Sequence, residues 1–397
     1  MQINEKMYAL GAKSSIIREI FEYGKRRKAE IGEDKVFDFS LGNPSVPAPE
    51  CVNDALADMI ENTDSVSLHG YTSAVGDNDV RAAIAKHIND SYGAGASAEN
   101  IYMTVGAAAS LTVTLNAIVN EGDEVIVIAP FFPEYRVFAE KAGATLRVVL
   151  SDMETLQIDI DALDSAINEK TKAIIVNSPN NPTGAVLTEE NVKALAALLD
   201  RKCAEYGHEI FLISDEPYRE LVYGDVKVPY LINEYKNTVV CYSFSKSLSI
   251  PGERIGYILV SPRIDDWKRL FLAVCGAGRS LGFVCAPSLF QKLIPYCLGK
   301  TADIEVYDRN RRLIYGALTE YGFSAIKPDG AFYLFVRSPE PDAYAFCEKA
   351  KKYELLLVPS DSFGVPGFVR ISYCVSTEQI ERSLPAFKAL AEEYGLG

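Results

Sequence analysis

"NTVVCYSFSKSLSIPGERIGYILV", Asn237 to Val260, sets one lysine among four serines between two apolar runs, and its reading decides the fold. "NTVVCYS" and "RIGYILV" are short, rich in β-branched and aromatic residues, and read as buried strands. A lysine in a Ser-rich run is ordinarily a solvated side chain on a polar loop. Lys246, however, occupies a turn of small residues between two core strands, which brings its amine near the interior. In crowded, apolar surroundings an amine binds its proton less tightly and becomes a usable nucleophile.

Working outward, "EVIVIAP", "TLRVVL", "KAIIVNS" and "HEIFLISD" repeat the buried-strand pattern between about residues 100 and 260. Amphipathic stretches separate several of them. "TEENVKALAALLDRKCAEYG" has apolar residues at three- and four-residue spacing and ends on a glycine, as helices do. Alternation of this kind predicts an α/β fold with a mainly parallel sheet and helices on both faces, whose ligands gather at the C-terminal strand ends. After about residue 295 a charged helical pattern leads into "FYLFV", "LLLVPS" and "FVRISYC" and then a last helix, the pattern of a smaller α+β domain. The expected division is a large domain over 45–295 and a small one over 1–44 and 296–397.

Four groups then fall at strand ends. "NSPNNPTG" (Asn177–Gly184) follows "KAIIV", "DEPY" (Asp215–Tyr218) follows "IFLIS", "SFSK" (Ser243–Lys246) follows "VVCY", and Phe131 and Phe132 follow "VIVIAP". Each alone is a turn, a helix cap or a piece of core. Together at one sheet edge they suit a planar, anionic, electron-withdrawing cofactor held covalently by an amine. A carboxylate on a buried strand can keep a pyridine nitrogen protonated. Serines, an arginine and a helix N-terminus can hold a phosphate, and "GAAASLTVTLNAIV" from Gly106 supplies such a helix. "NNPTG" must turn sharply while aiming the Asn181 amide inward, so a cis Asn181–Pro182 bond is expected, and a cis Ala129–Pro130 bond with it.

Composition narrows the partners. The 397 residues are 48% hydrophobic and 24% charged, the balance of a soluble globular protein, and the net charge of −14 argues against a nucleic-acid partner. "MQINEKMYALGAKSS" lacks the apolar core of a leader peptide, and no run of eighteen apolar residues occurs. "LFLAVCGAGRSLGFVCAPSLF" (Leu270–Phe290) carries Arg279 at its centre and is read as buried protein, not membrane. Eight scattered cysteines without a C-x-x-C pair suit reduced thiols and a cytoplasmic location, and three histidines without ligand spacing argue against a metal. "GAGRSLG" is one residue too long for the dinucleotide G-x-G-x-x-G.

"NSPNNPTG", "SDEPY" and "SFSKSLSIPGERIGY" resemble the signatures of class I/II aminotransferases, pyridoxal-phosphate enzymes of fold type I related to aspartate aminotransferase. The likeness extends to "LGNPSVPAP", "GYTSAVGDNDVRAAIA" and "GFVRISY", nearly the whole chain. It implies a seven-stranded sheet in the large domain and pyridoxal 5'-phosphate as cofactor. By the same resemblance Lys246 carries the cofactor as a Schiff base and shuttles the substrate α-proton, and Asp215 pairs with the pyridine nitrogen. Tyr218 and Asn181 contact the phenolic oxygen, and Phe132 stacks on the ring. Ser243, Arg254 and the backbone of Ala107 and Ala108 take the phosphate, and Tyr71 reaches it from a partner subunit, which implies a homodimer with shared sites. Arg370 and Gly42 receive the substrate α-carboxylate. Arg279, thirty-three residues beyond Lys246, is a candidate for a side-chain carboxylate, because an arginine amid apolar residues needs a counter-charge.

The reaction expected is transfer of an α-amino group from an L-amino acid to a 2-oxo acid, with aspartate and 2-oxoglutarate first among substrates. A β-eliminating lyase or a decarboxylase is the alternative on the same fold. A non-catalytic regulatory role fits poorly with Lys246, Asp215 and Arg370 all retained.

Overall fold

The apolar runs assemble as one seven-stranded sheet in a computed structural model that describes residues 2–12 and 15–396. Met1, Lys13 and Ser14, part of the N-terminal stretch read above for a leader, lie outside the described residues. The strands are β1 (Ile101–Thr104), β2 (Glu124–Ala129), β3 (Thr145–Leu150), β4 (Thr171–Asn177), β5 (Phe211–Asp215), β6 (Thr238–Ser243) and β7 (Gly256–Val260). Their order is β1-β7-β6-β5-β4-β2-β3; β7 runs antiparallel to both neighbours and every other pair is parallel. The sheet is therefore mainly parallel, as expected.

Central strands β5, β6 and β7 are buried at every position, which is why they read as continuous apolar runs instead of alternating ones. Two readings need correction. "TLRVVL" is not a buried strand: as the edge strand β3 it leaves Val148 37% and Leu150 52% exposed. Leu270–Phe290 is not uniformly buried either. It contains the amphipathic helix Trp267–Leu281, which buries Leu270, Val274 and Ala277 but leaves Leu272 69% exposed. No described helix is long and apolar enough to cross a membrane.

Register places Ile174, Leu212 and Val240 on one face of the sheet. They pack in clusters with Val192, Leu195 and Leu199 of the Glu189–Tyr206 helix and with Ile84 and Ile88 of the Asn78–Tyr92 helix. The Thr188 hydroxyl caps the Glu189–Tyr206 helix by accepting from Asn191 N–H, and Gly207 ends it in the left-handed region at φ 71°. The opposite face receives the Ala107–Ile118 helix, whose Thr114 hydroxyl lies 3.5 Å from Cys241 Sγ on β6.

Two compact units divide the chain. One comprises Val46–Ile304 with Asp329–Ala331 and contains the seven-stranded sheet. The other is built from the segment up to Ser45, Glu305–Pro328 and the segment from Phe332 onward. In the second unit Tyr333–Arg337 (β8), Val358–Pro359 (β9) and Phe368–Ser372 (β10) form an antiparallel sheet in the order β9-β10-β8. "LLLVPS" serves two sheets, because Leu355–Leu356 pairs in parallel with Phe37–Asp38 while Val358–Pro359 pairs with β10. The Ile304–Glu320 and Thr377–Glu393 helices complete this unit, and all eight cysteines of the chain are free thiols.

Candidate active site

Parallel neighbours β4 and β5 end level, with Asn177 and Asp215 paired in register, and β6 runs two residues beyond Cys241, the partner of Asp215, to Ser243, so all three emerge at one edge. Asp215 is 4% exposed. Its Oδ2 accepts from the Tyr135 hydroxyl at 2.5 Å, while Oδ1 is buried and meets no hydrogen-bond donor among the described residues. Burial pushes the carboxyl up to about 7, opposed by the Tyr135 hydrogen bond and assisted by the neighbouring charge of Glu216. A buried carboxylate oxygen without a donor fits the N–H of a protonated pyridine ring.

The Asn177 side chain braces two pieces of this edge. Its Nδ2 donates to Asp215 O at 2.8 Å, and its Oδ1 accepts from Asn181 N–H at 2.8 Å. Asn181 is buried, and its bond to Pro182 is cis, as is Ala129–Pro130; Ser178–Pro179 is a third cis bond that sequence reading did not anticipate. Tyr218 is buried three residues beyond Asp215, on a turn closed by Leu221 N–H to Tyr218 O at 2.9 Å. Phe132, half-buried, meets the fully buried Tyr135 edge-on at 5.6 Å between centroids.

Lys246 is half-buried on the turn after β6, flanked by the buried Ser245 and Ser247. Beside it lies a cradle for an anion. Ser243 and Ser245 hydroxyls are 2.8 Å apart, and Arg254 Nη1 donates to Ser245 Oγ at 3.2 Å. Gly106, at φ 95°, opens the Ala107–Ile118 helix, and a Cβ added there would fall 2.5 Å from Arg254 Nη2. The glycine thus lets the guanidinium approach the start of that helix, whose first N–H groups belong to Ala107 and Ala108 and whose dipole also favours negative charge. Ser110, the first hydroxyl in that helix, is turned inward: its Oγ contacts Thr104 Oγ1 at 2.7 Å and Tyr257 O at 3.3 Å. The cradle therefore offers backbone N–H, two serines and one arginine, a donor set that suits a phosphate monoester.

Arg370 and Gly42 belong to the second unit. Arg370 on β10 is 3% exposed, its Nη2 donates to Ser40 O, and its guanidinium lies 4.9 Å from the Tyr333 ring and 5.2 Å from that of Phe363. At Gly42 a Cβ would fall 2.0 Å from Tyr333 Oη, so only glycine allows that close approach. Tyr71 is 99% exposed. For Arg279 the premise of burial is corrected. It stands exposed in the last turn of the Trp267–Leu281 helix, where a cation complements the helix C-terminus, and it is not buried in need of a counter-charge.

Sequence reading missed Asn177, Ser245 and Tyr333, and took Tyr135, with Phe131, only as an alternative to Phe132 for stacking on the ring, not as the partner of Asp215. Asn177 and Ser245 sit inside the quoted "NSPNNPTG" and "SFSK", and their place at strand ends was the signal that could have found them. Tyr135 and Tyr333 carry no local signal, since each acts across 80 and more residues or against a glycine of another segment.

The comparisons agree with this geometry. The family model described as aminotransferase class I and II matches residues 34–387. A probable aspartate/prephenate aminotransferase of Aquifex aeolicus is 30% identical over 90% of this chain and 91% of its own. The aspartate aminotransferase of Thermotoga maritima is 29% identical over 93% and 95%. Among solved structures, an amino transferase from Eubacterium rectale superposes with a TM-score of 0.97 at 55% identity, covering 99% of both chains. The aspartate aminotransferase of Thermus thermophilus, solved with maleate, gives 0.86 at 26% identity, over 98% and 100%. With the family model spanning nearly the whole chain and a donor set that fits the cofactor, the chain belongs to the class I and II aminotransferases, enzymes that transfer amino groups with pyridoxal phosphate.

Proposed function

We propose that this aminotransferase moves the α-amino group of L-aspartate to 2-oxoglutarate, with Lys246 as the residue that handles the substrate α-proton. The observation that carries an amino-acid substrate is the buried Arg370, set against two aromatic rings and fixed by Ser40 O, which suits two-pronged binding of an α-carboxylate; the choice of aspartate rests on the relatives' names. Several relatives bear the name aspartate aminotransferase, which supports the same substrate. A lyase or decarboxylase is not favoured, since none of these relatives is named for such a reaction.

Pyridoxal phosphate, when bound, supplies an electron-withdrawing ring that delocalises the electron pair left at the substrate α-carbon. Lys246 Nζ would anchor that group and would serve as the base that holds and returns the substrate α-proton. Asp215 Oδ1 would hold the ring N–H, with Tyr135 steadying Oδ2. Asn181 and Tyr218 would serve the phenolic oxygen, and Phe132 would pack on the ring. Ser243, Ser245, Arg254 and the N–H groups of Ala107 and Ala108 hold the phosphate, and Arg370 with the Gly42 backbone orients the substrate carboxylate.

A homodimer with shared sites is part of this reading. A tyrosine that is 99% exposed, together with Val66 at 79% and Ile60 at 66%, is an unusual surface for a monomer, and Tyr71 reaches the partner's phosphate. Arg279 takes the side-chain carboxylate across the same interface. A cytoplasmic location is supported by eight free thiols. The reading is tested by steady-state kinetics over a panel of amino acids with 2-oxoglutarate. Aspartate should give the highest kcat/KM, and Arg370→Ala should lose roughly 2–5 kcal/mol of it. A tenfold preference for an aromatic or branched amino acid would overturn the substrate assignment while leaving the transfer chemistry standing.

A further inference from the structure

On the sheet face that carries Tyr242, outside the strand-end cluster, lies a cavity of about 140 Å³. None of Lys246, Asp215, Asn181, Ser243 or Arg254 lines it. Its walls are aromatic. The rings of Tyr92 and Tyr230 are 4.5 Å apart, Tyr242 stacks on Tyr257 at 4.9 Å, and Phe244 stands edge-on to Tyr242 at 4.9 Å. The rim is exposed at Ser91, Gly299 and Lys300.

One carboxylate, Glu220, lines this space. Its Oε1 accepts from the Tyr242 hydroxyl at 2.8 Å, but its Oε2 is buried with no hydrogen-bond partner among the described residues. The hydroxyl of Tyr230, a residue only 7% exposed, also has none. The nearest buried cation is already committed: Arg219 Nε donates to Glu216 Oε2 at 2.5 Å, and its two other nitrogens donate to Val228 O at 3.1 Å and Pro229 O at 3.0 Å. Arg219 itself lines the cavity, its guanidinium over the rings of Tyr92 at 5.2 Å and Tyr230 at 4.5 Å, so it is spent on Glu216 and those two faces, and Glu220 Oε2 is left without a hydrogen bond. Burial pushes the Glu220 carboxyl above the usual carboxylate range, against the pull of the Tyr242 hydrogen bond and of Arg219. At the rim, Lys300 forms no ion pair among the described residues, and burial lowers the proton affinity of His87.

We propose that this cavity binds a short alkylammonium ion, whose N–H groups pair with Glu220 Oε2 and the Tyr230 hydroxyl and whose charge lies against the rings of Tyr242 and Tyr257. The volume matches the ~150 Å³ cavities that take a benzene-sized guest, enough for a propyl or butyl chain. Aromatic faces attract a desolvated cation, and a hydrophobic wall accepts its alkyl body. A bare divalent metal is a poorer match, because hard cations demand about six oxygen ligands and these walls offer mostly carbon. An anion would meet the unpaired Glu220. The inference does not depend on the amino-transfer reading.

The test uses holoenzyme whose lysine–cofactor linkage has been reduced with borohydride, so that an added amine cannot exchange into it. Calorimetric titration with propylammonium chloride should give binding roughly tenfold or more tighter than with 1-propanol. Glu220→Gln keeps the volume and an acceptor for Tyr242 but removes the charge, and should abolish that preference. Crystals of the wild-type protein soaked in propylammonium should place the ion in the cavity with nitrogen within hydrogen-bond distance of Glu220 Oε2, a readout that does not depend on the variant folding. Equal affinity for 1-propanol, an unchanged preference in E220Q, or soaked crystals with only water in the cavity would each overturn the proposal.

Discussion

At Asp215, burial and a hydrogen bond pull in opposite directions, and burial wins, lifting the carboxyl to about 7. The sign of the consequence is fixed. A carboxyl whose folded-state value lies above its unfolded one binds protons more tightly when folded, so its contribution to stability is present below about 4 and is lost as pH rises to about 7. A protonated pyridine beside Oδ1 removes that penalty. Pyridoxal phosphate should therefore raise Tm more at pH 8 than at pH 5, and Asp215→Asn should flatten the difference. Calorimetry of loaded and cofactor-free protein at the two pH values checks this; an upshift independent of pH would remove Asp215 from the ring nitrogen. Arg279 makes a second prediction at this scale. Exposed on a helix end, it can be removed without cost to its own chain. Arg279→Ala should lower kcat/KM for aspartate roughly a hundredfold while leaving alanine nearly unchanged. An equal effect on both amino acids would assign it no side-chain carboxylate. Residues of this kind were legible in the sequence when they stood next to a strand end within a compact motif. Tyr135 was not, because a tyrosine that serves a carboxylate 80 residues away leaves no local mark.

Among elements, the turn from β6 to β7 carries the lysine, both serines and Arg254, and its geometry depends on one glycine. A Cβ at Gly256 would fall 2.3 Å from Tyr242 O and 3.0 Å from Gly106 Cα, both backbone atoms that cannot swing aside. Gly256→Ala should cost about 1–3 kcal/mol of stability and weaken cofactor binding together, because it pushes β7 away from both β6 and the phosphate-binding helix. Denaturant unfolding alongside cofactor titration measures the two; an unaltered midpoint and affinity would mean that the close approach is not needed. Strands were readable where burial was complete, as in β5 and β6. "IYMT" escaped notice as β1 because four residues are too few to show a period, and its burial comes from tertiary neighbours. "TLRVVL" misled for the converse reason: an apolar composition on an edge strand whose exposure only the strand order reveals.

For the whole molecule, the larger unit holds Lys246, Asp215 and Arg254, and the smaller holds Arg370. The proposed dimer adds Tyr71 of a second copy. If each site takes Lys246 from one chain and Tyr71 from the other, mixing Tyr71→Ala and Lys246→Ala proteins by unfolding and refolding should restore activity to about a quarter of wild type, since half the dimers are hybrids with one intact site. Activity no higher than that of the parents would place each site within one chain. Most direct of all is the fate of the amino group itself. Wild-type holoenzyme given 15N-labelled aspartate and 2-oxoglutarate should deliver the label to glutamate with none released as ammonium, and Lys246→Ala, still binding cofactor, should slow that transfer by a factor on the order of 10²–10⁴ or more. Label recovered as ammonium, or transfer by the lysine-free protein at the wild-type rate, would contradict the assignment of Lys246 and of amino transfer to this site.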